Sequence, residues 1–377
     1  MLKVVEAEIA RIAIPFRFGF RHALAKRSVG DGVLVTVRDA EGRVGHGECA
    51  PREYVSGETN RSVMEALEAR LPAMLGRTFP SFEALTEDLA RQGAGLARAE
   101  HAAFCALELA WLDLGGRVFG RSAGEPLGPI AAPRVVYSGI VSASGGADAS
   151  KMCEKMRELG VRQVKVKVGG ELWEDLEVLN AAREALGEEV GLRVDANSAW
   201  DAETALARLK AFGEFHLEAC EQPCAAADLA GMAWVTERSP VPVVADESLV
   251  SIEDAQRLAE LRACHVFNVR ISKCGGLIGS GRIRDLGREA GIDTMLGAHV
   301  GETAILAAAG RQFAARTPGL RFAEGSYGKM LLRADLSDDM DLGPGVAGEV
   351  DSRGGLGLEV DAERIAPFLF SRKTLRS

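Results

Sequence analysis

The hydrophobic and polar positions of this chain fall into two regions with different periods. Residues 1 to about 50 alternate apolar and polar positions in three runs separated by glycine turns, which predicts an antiparallel meander. From Arg61 to Gly116 the apolar positions recur at helical spacing, most clearly in AEHAAFCALELAWLDLGG. Strands followed by helices predict a separate α+β domain.

Strand and helix patterns alternate after a Gly- and Pro-rich passage at residues 120–133. Short apolar runs rich in β-branched residues predict eight strands: VVYSGI, QVKVKVG, GLRVDAN, FHLEACEQP, PVVADES, HVFNVRISK, DTMLGAH and LRFAEGS. Strands that alternate with helices in this way predict a parallel barrel. No full-length amphipathic helix follows the eighth run, so we expect a tail that packs back on the N-terminal domain in place of the last helix.

These patterns predict an α/β protein in three parts. The first is an α+β capping domain at residues 1–125, the second a barrel at residues 126–328, and the third a C-terminal segment at residues 329–377 that returns to the capping domain. The 377 residues suffice for a barrel of about 250 residues and a second domain.

Charged residues recur at nearly constant spacing at the ends of five predicted strands. They are Lys167, Asp195, Glu221, Asp246 and Lys273, separated by 25 to 28 residues. A strand, a helix and two loops take about that many residues, and the strand ends of a parallel barrel converge on one face. The spacing therefore predicts a ring of three carboxylates flanked by two lysines.

The three carboxylates predict a metal site. Each of Asp195, Glu221 and Asp246 alone would be an ordinary strand-end cap or salt-bridge partner. Three on adjacent strands repel one another unless a cation neutralises them. Oxygen-only ligation favours Mg²⁺, with Mn²⁺ as the alternative.

The lysines indicate acid/base chemistry. Lys165 and Lys167 alternate with valines, so period 2 places both on the inner face of a barrel whose strands are covered on both sides. Lys273 precedes two glycines, which let backbone or a ligand approach closely; alone it would serve equally well as an exposed loop cation. A divalent cation between two amines suits removal of a proton α to a substrate carboxylate.

Five motifs carry a family resemblance: K-x-K at 165–167, D-A-N at 195–197, E-Q-P at 221–223, D-E-S at 246–248 and K-x-G-G at 273–276. Their types and order resemble the enolase superfamily, specifically its muconate-lactonizing subgroup. The resemblance implies a modified (β/α)₇β barrel, Mg²⁺ on the three carboxylates, and Lys167 and Lys273 as an opposed acid/base pair. It also implies that Lys165 neutralises the substrate carboxylate.

The same resemblance implies that two capping loops, at residues 16–28 and 51–58, and the eighth strand end select the substrate. The expected substrate contacts are Lys165, Asn197, His299, Glu302, Glu324 and Tyr54, together with Arg17, Arg21, His22 and Lys26 of the basic first loop. A basic loop favours an anionic group at the far end of the substrate.

Two strand ends depart from the family pattern. Dipeptide epimerases of the subgroup resemble one another in an Asp-x-Asp at the eighth strand end, whereas Glu324, Gly325 and Ser326 stand here. The loss of one acid disfavours a dipeptide, and Glu324 remains as a partner for a single cationic group. The seventh strand end, LGAHVGET, has a one-residue insertion. Because Lys273 occupies the base position of strand six, we expect His299 to be a substrate contact or a buried polar residue. Glu302 would contact substrate or begin the next helix.

The expected activity is racemisation or epimerisation of an amino-acid derivative or related acid. The alternatives are cycloisomerisation of a muconate-like diacid and elimination of the o-succinylbenzoate-synthase kind. A barrel that binds a carboxylate without turning it over is a third alternative, against which the burial of five charges argues.

The composition indicates that the binding partners are small molecules. The 45 basic and 54 acidic residues give a net charge of −9 without a basic stripe, so no nucleic-acid partner is expected. With no apolar run of transmembrane length and no signal-peptide pattern, we expect a cytoplasmic protein without membrane contact, and a homo-oligomer. The seven scattered cysteines predict free buried thiols.

Overall fold

The computed structural model describes the backbone of residues 1–22, 25–351 and 353–377, and their side chains except at residues 18–22, 25–26 and 362. The chain begins with a sheet and helices that form the capping domain. Their bounds are β1 Leu2–His22, β2 Ala25–Asp39, β3 Val44–Cys49, α1 Glu53–Ser56, α2 Asn60–Met74, β4 Thr78–Phe79, α3 Phe82–Gln92 and α4 His101–Phe119.

A short strand, β5, comes next, and strands and helices then alternate through the barrel. Their bounds are β5 Arg134–Val136, β6 Gly139–Val141, α5 Gly146–Glu158, β7 Gln163–Lys167, α6 Leu172–Leu186, β8 Gly191–Asp195, α7 Ala202–Ala211, β9 Leu217–Glu221, α8 Leu229–Arg238, β10 Val243–Ala245, α9 Ile252–Glu260, β11 Val266–Val269, α10 Gly276–Ala290, β12 Asp293–Leu296 and α11 Ala304–Ala315. The tail carries α12 Gly328–Leu331, β13 Ala347–Glu349 and β14 Leu369–Arg376.

The C-terminal tail completes the capping sheet, as the sequence predicts. The sheet runs β14-β1-β2-β3, and β14 pairs antiparallel with β1 so that Glu6 lies opposite Arg376. The exact divisions near residues 125 and 328 stay a prediction.

The barrel is a parallel sheet of strands β6 to β12 in chain order. The predicted eighth strand is reduced to a single bridge between Leu296 and Ala323. Backbone hydrogen bonds nevertheless close the ring, because Glu324 N donates to Leu296 O at 2.9 Å and Ser138 N donates to Ala323 O at 2.8 Å. This is the expected modified barrel, and its closure brings Glu324 beside the first strands.

The first predicted barrel strand, VVYSGI, is wrong as a single strand. Its first half belongs to β5, which pairs antiparallel with β13, and only β6 joins the barrel. Between them Tyr137 N donates to Val346 O and Ser138 N to Ala323 O, so the chain changes partners there. Both halves are short and rich in β-branched residues, so the alternation of apolar and polar positions does not show that they belong to different sheets.

Helix α4 packs against strand β3 of the capping sheet and against helix α10 of the barrel. Its residues from His101 to Gly116 are buried on every face. The close approach of α4 to β3 requires glycine in β3, since a Cβ at Gly47 would lie 2.0 Å from Ala106 O.

All seven cysteines are buried and unpaired. No described helix is long and apolar enough to cross a membrane.

Asp113 joins the capping sheet, α4 and the C-terminal tail. Its carboxylate accepts from His46 N and Leu356 N, each at 2.9 Å. We expect Asp113→Ala to lower the free energy of unfolding in urea by about 3 kcal/mol, because two buried N–H groups lose their partner. The control Asp201→Asn, at an exposed helix N-cap where Asn serves as well, should change it little. Equal losses in both variants would contradict this role.

Candidate active site

Three buried carboxylates stand at the carboxyl ends of neighbouring parallel strands. Asp195 ends β8, Glu221 ends β9, and Asp246 directly follows β10. Asp195 and Glu221 are paired in register, and all three are at most 2% exposed. The barrel therefore places the three predicted metal ligands in one row on one face.

The two predicted bases lie on opposite sides of this row. Lys167 ends β7, in register with Asp195, and its Nζ lies 2.5 Å from Asp195 Oδ2 and 2.8 Å from Asn197 Oδ1. Lys273 follows β11, and its Nζ lies 2.6 Å from Asp246 Oδ1 and 2.5 Å from Asp246 O. Because the sheet order is β7-β8-β9-β10-β11, the carboxylates separate the two amines.

Lys165 lies between the carboxylates. Its Nζ is 3.0 Å from both oxygens of Glu221, 2.8 Å from Glu324 Oε1 and 3.1 Å from Asp195 Oδ2. Burial alone would lower the pKa of Lys165, but the surrounding carboxylates outweigh it and raise the pKa above its usual value. Lys165 is therefore a permanent positive charge inside the barrel.

Two arginines that the sequence analysis missed complete the charge network. Arg193 donates from Nη2 to Glu324 Oε1 at 2.6 Å, and its guanidinium lies 4.6 Å from the centre of the Phe322 ring. Arg270 pairs with Asp246 Oδ2 and lies 3.5 Å from Glu221 Oε1.

The two-residue alternation of side chains along a strand is the signal that could have identified both arginines from the sequence. Arg193 stands two residues before Asp195, and Arg270 two after Asn268, whose amide donates to Glu221 Oε1 at 2.9 Å. Residues two apart on a strand share a face. Each arginine therefore points into the barrel like its neighbour.

Glu324 is already compensated by these cations. Burial raises its pKa, but Lys165 and Arg193 outweigh burial and hold the pKa at about 2. The carboxylate stays ionised with both oxygens engaged. By contrast, burial and repulsion from Asp195 raise the pKa of Glu221 to about 8.

A small cavity opens above the charge network. Of the predicted substrate contacts, Tyr54, Lys165, Asn197, His299 and Glu324 line it together with Lys167. Lining residues that we did not predict are Ile140, Glu247, Arg270, Ala298 and Val300. The three carboxylates of the row do not line it, but each contacts Lys165 or Arg270, which do. Lys273 does not line it either and reaches the row through Asp246.

Glu247, the middle residue of D-E-S, supports the cavity wall. Its Oε1 accepts from Asn197 Nδ2 at 3.0 Å, while its buried Oε2 has no hydrogen-bond partner in the described part of the chain. Burial and the charges of Asp246 and Asp195 raise the pKa of Glu247 to about 7.

His299 faces the cavity as a buried neutral imidazole. Neither ring nitrogen has a hydrogen-bond partner among the described residues, and Nδ1 is 4.0 Å from Glu302 Oε1. Burial and nearby arginines lower its pKa well below the usual value. Glu302 accepts from His299 N at 2.7 Å and does not line the cavity.

The first capping loop is described only in part. Arg17 donates from Nε to Leu332 O at 2.8 Å, so its guanidinium already has a partner within the chain. The side chains of Arg21, His22 and Lys26 lie outside the described residues. Tyr54 of the second loop lines the cavity and is 38% exposed.

The donor chemistry of the row fits a divalent cation. As the side chains stand, no three His, Cys, Asp or Glu groups among the described residues are arranged to hold a metal ion. Cationic groups occupy the carboxylate oxygens instead: Lys165 contacts both Asp195 and Glu221, and Arg270 contacts both Glu221 and Asp246. The fit rests on ligand type, because the row offers carboxylate oxygens alone and these are the ligands that Mg²⁺ prefers.

Comparison with known proteins agrees with this architecture. The model of the mandelate racemase/muconate lactonizing enzyme N-terminal domain matches residues 4–128, and the model described as enolase C-terminal domain-like matches residues 148–364. The L-Lys-D/L-Arg epimerase of Methylococcus capsulatus is 30% identical over 370 residues, 95% of this chain and 99% of that protein. The N-succinylamino acid racemase of Thermus thermophilus is 33% identical over 304 residues, 78% of each chain.

One similar solved structure contains magnesium. The dipeptide epimerase of Enterococcus faecalis, complexed with Mg and L-Leu-L-Tyr, has a TM-score of 0.86 and 27% identity, covering 95% of this chain and 99% of that chain. These relatives are racemases and epimerases, which are isomerases. The chain therefore belongs to the mandelate racemase/muconate lactonizing enzyme family of the enolase superfamily.

Proposed function

We propose that this protein is an Mg²⁺-dependent racemase or epimerase of an amino-acid derivative, acting on the proton α to a carboxylate. The observation that carries the proposal is the placement of Lys167 and Lys273 on opposite sides of one row of carboxylates. Inversion at a carbon needs a proton removed on one face and returned on the other, and two opposed amines suit both steps. The names of the similar proteins agree.

Asp195, Glu221 and Asp246 would hold the cation, with Mn²⁺ as the alternative to Mg²⁺. When bound, the cation supplies positive charge beside the substrate carboxylate, which makes the α-proton more acidic. Their burial in one row at 0 to 2% exposure supports this role, since neighbouring carboxylates repel one another and a divalent cation relieves that repulsion.

The chain's own residues carry the proton and its charge. Lys167 takes the α-proton from one enantiomer while Lys273 delivers a proton to the opposite face, and the roles exchange for the other enantiomer. Lys165, held charged by its carboxylate partners, stabilises the negative charge that develops on the substrate carboxylate. His299 supplies a neutral hydrogen-bonding group, because both of its nitrogens lack a partner among the described residues.

The preferred substrate is an N-acyl amino acid with an anionic acyl group. A free ammonium group at the eighth strand end needs an uncompensated carboxylate there, whereas Arg193 and Lys165 already engage Glu324. The similarity to an N-succinylamino acid racemase supports the anionic acyl group.

The test is solvent ²H exchange in D₂O with Mg²⁺, using both enantiomers of N-succinyl amino acids and dipeptides with free amino groups. We expect exchange and inversion of both enantiomers, with the N-succinyl compounds faster by about tenfold or more, the discrimination that one unmatched charge produces. Product double bonds or lactones without inversion would indicate the lyase or the cycloisomerase. Binding without exchange would indicate a non-catalytic barrel.

We also propose a cytoplasmic location. Seven buried cysteines without a disulfide fit a reducing compartment. The homo-oligomer stays a prediction from the sequence.

A further inference from the structure

Two side chains of the capping domain reach the turn that carries Lys273. Glu108 of α4 accepts at Oε1 from Ile278 N at 3.1 Å, in the first turn of α10. His101, at the start of α4, has Nδ1 3.1 Å from Val250 O and 3.2 Å from Lys273 O. Since carbonyl oxygens only accept, Nδ1 carries the proton and donates to both.

The two glycines after Lys273 make room for these contacts. Gly276 has φ +95°, and a Cβ there would lie 2.3 Å from Glu108 Oε1. Gly275 has φ +77° and lies against the His101 ring. From the sequence we expected backbone or a ligand to approach these two glycines closely. The groups that approach them are the side chains of Glu108 and His101, from the capping domain.

The contacts hold Lys273 and its partner together. His101 links the loop after β10, through Val250, to the loop after β11, through Lys273. Asp246, which binds Lys273 Nζ, begins the first of these loops. Glu108 binds the first turn of α10, the helix that follows the second loop. Helix α4 itself is buried from His101 to Gly116.

We infer that Glu108 and His101 are positioning residues for Lys273, so that the capping domain sets the geometry of one of the two proton-transfer faces. The inference rests on the proposed function of Lys273 as a base. Lys167, on β7, has no such contact with α4 among the described residues. A displacement of about 1 Å costs on the order of a hundredfold in rate, so loss of these contacts should affect one enantiomer much more than the other.

The test measures ²H exchange of each enantiomer separately with the full-length protein and Mg²⁺. We expect Glu108→Ala to slow exchange by about tenfold or more for the enantiomer that Lys273→Ala no longer exchanges, and to leave the other nearly unchanged. Glu108→Gln should keep exchange of both enantiomers near the wild-type rate, because its amide oxygen can accept from the same Ile278 N–H. His101→Phe, which keeps a ring but removes the Nδ1–H donor to both carbonyls, should show the same selective loss if Glu108→Ala does not fold.

Glu48→Ala is the matched control. Glu48 is also a capping-domain carboxylate at a barrel helix, and it accepts from Thr303 N at 2.9 Å and Leu306 N at 3.0 Å at the start of α11. Its loss should lower exchange of both enantiomers by the same factor. Equal losses for both enantiomers in Glu108→Ala and His101→Phe would overturn the inference and leave the proposed function standing. A wild-type protein that exchanges no α-proton would overturn both.

Discussion

Lys167→Ala and Lys273→Ala should each abolish racemisation, while each retains ²H exchange on a single, different enantiomer. The two amines lie on opposite sides of the carboxylate row. In the proposed mechanism each therefore takes the α-proton of one enantiomer only. Loss of a general base costs about 10² to 10⁴ in rate. The measurement is optical rotation for inversion and proton NMR in D₂O for exchange, with each enantiomer taken separately.

Two further variants make this result specific. Lys167→Arg should not restore activity, because a guanidinium stays protonated and does not act as a base. Lys210→Ala, at an exposed position of α7, removes a lysine without touching the site and should leave both activities intact. Turnover of both enantiomers by Lys273→Ala would mean that one lysine suffices, and the two-base mechanism would yield to the lyase or cycloisomerase alternative.

Glu221→Gln should lower exchange of both enantiomers on the order of a thousandfold, because the cation contributes several kcal/mol to stabilising the transition state. Glu221 occupies the middle of the row, and Lys165 contacts both of its oxygens. Removal of divalent metal by a chelator should stop the wild type, and added Mg²⁺ should restore it. Mg²⁺ should also raise the melting temperature of the wild type and not that of the variant.

Glu218→Gln is the control on the same strand. Glu218 stands at the start of β9, away from the carboxyl end, and its loss should leave both Mg²⁺ stabilisation and exchange near the wild-type values. The metal assignment would be contradicted if Glu221→Gln kept full exchange and the same response to Mg²⁺. A variant that lost activity and yet kept Mg²⁺ stabilisation would place the cation on other groups.

The buried ion network shows why single substitutions here should be costly. Lys165, Arg193 and Arg270 offset the carboxylates of the row and Glu324 at exposures of 11% or less. Removing one partner leaves an uncompensated charge away from water, at about 3 to 5 kcal/mol. Melting curves should therefore accompany every rate measurement on these residues, so that loss of fold is separated from loss of chemistry.

Local pattern by itself determined the positions of the row and its lysines. The spacing of 25 to 28 residues places each charged residue at an equivalent strand end, because a strand and helix unit of this length repeats around a barrel. Period 2 places Lys165 and Lys167 on the inner face, where both lie. The same rule applied to Arg193 and Arg270 would have found them too.

Only the tertiary structure decided which groups meet across the barrel. The compensation of Glu324 by Lys165 and Arg193 depends on ring closure, which brings residues 159 and 131 positions apart into contact. The contacts of Glu108 with α10 and of His101 with Lys273 span 170 and 172 positions. The change of partners between β5 and β6 likewise depends on β13, from the far end of the chain. Periodicity reports which face a side chain occupies, whereas its partner is set by the packing of distant segments, on which local pattern carries no information.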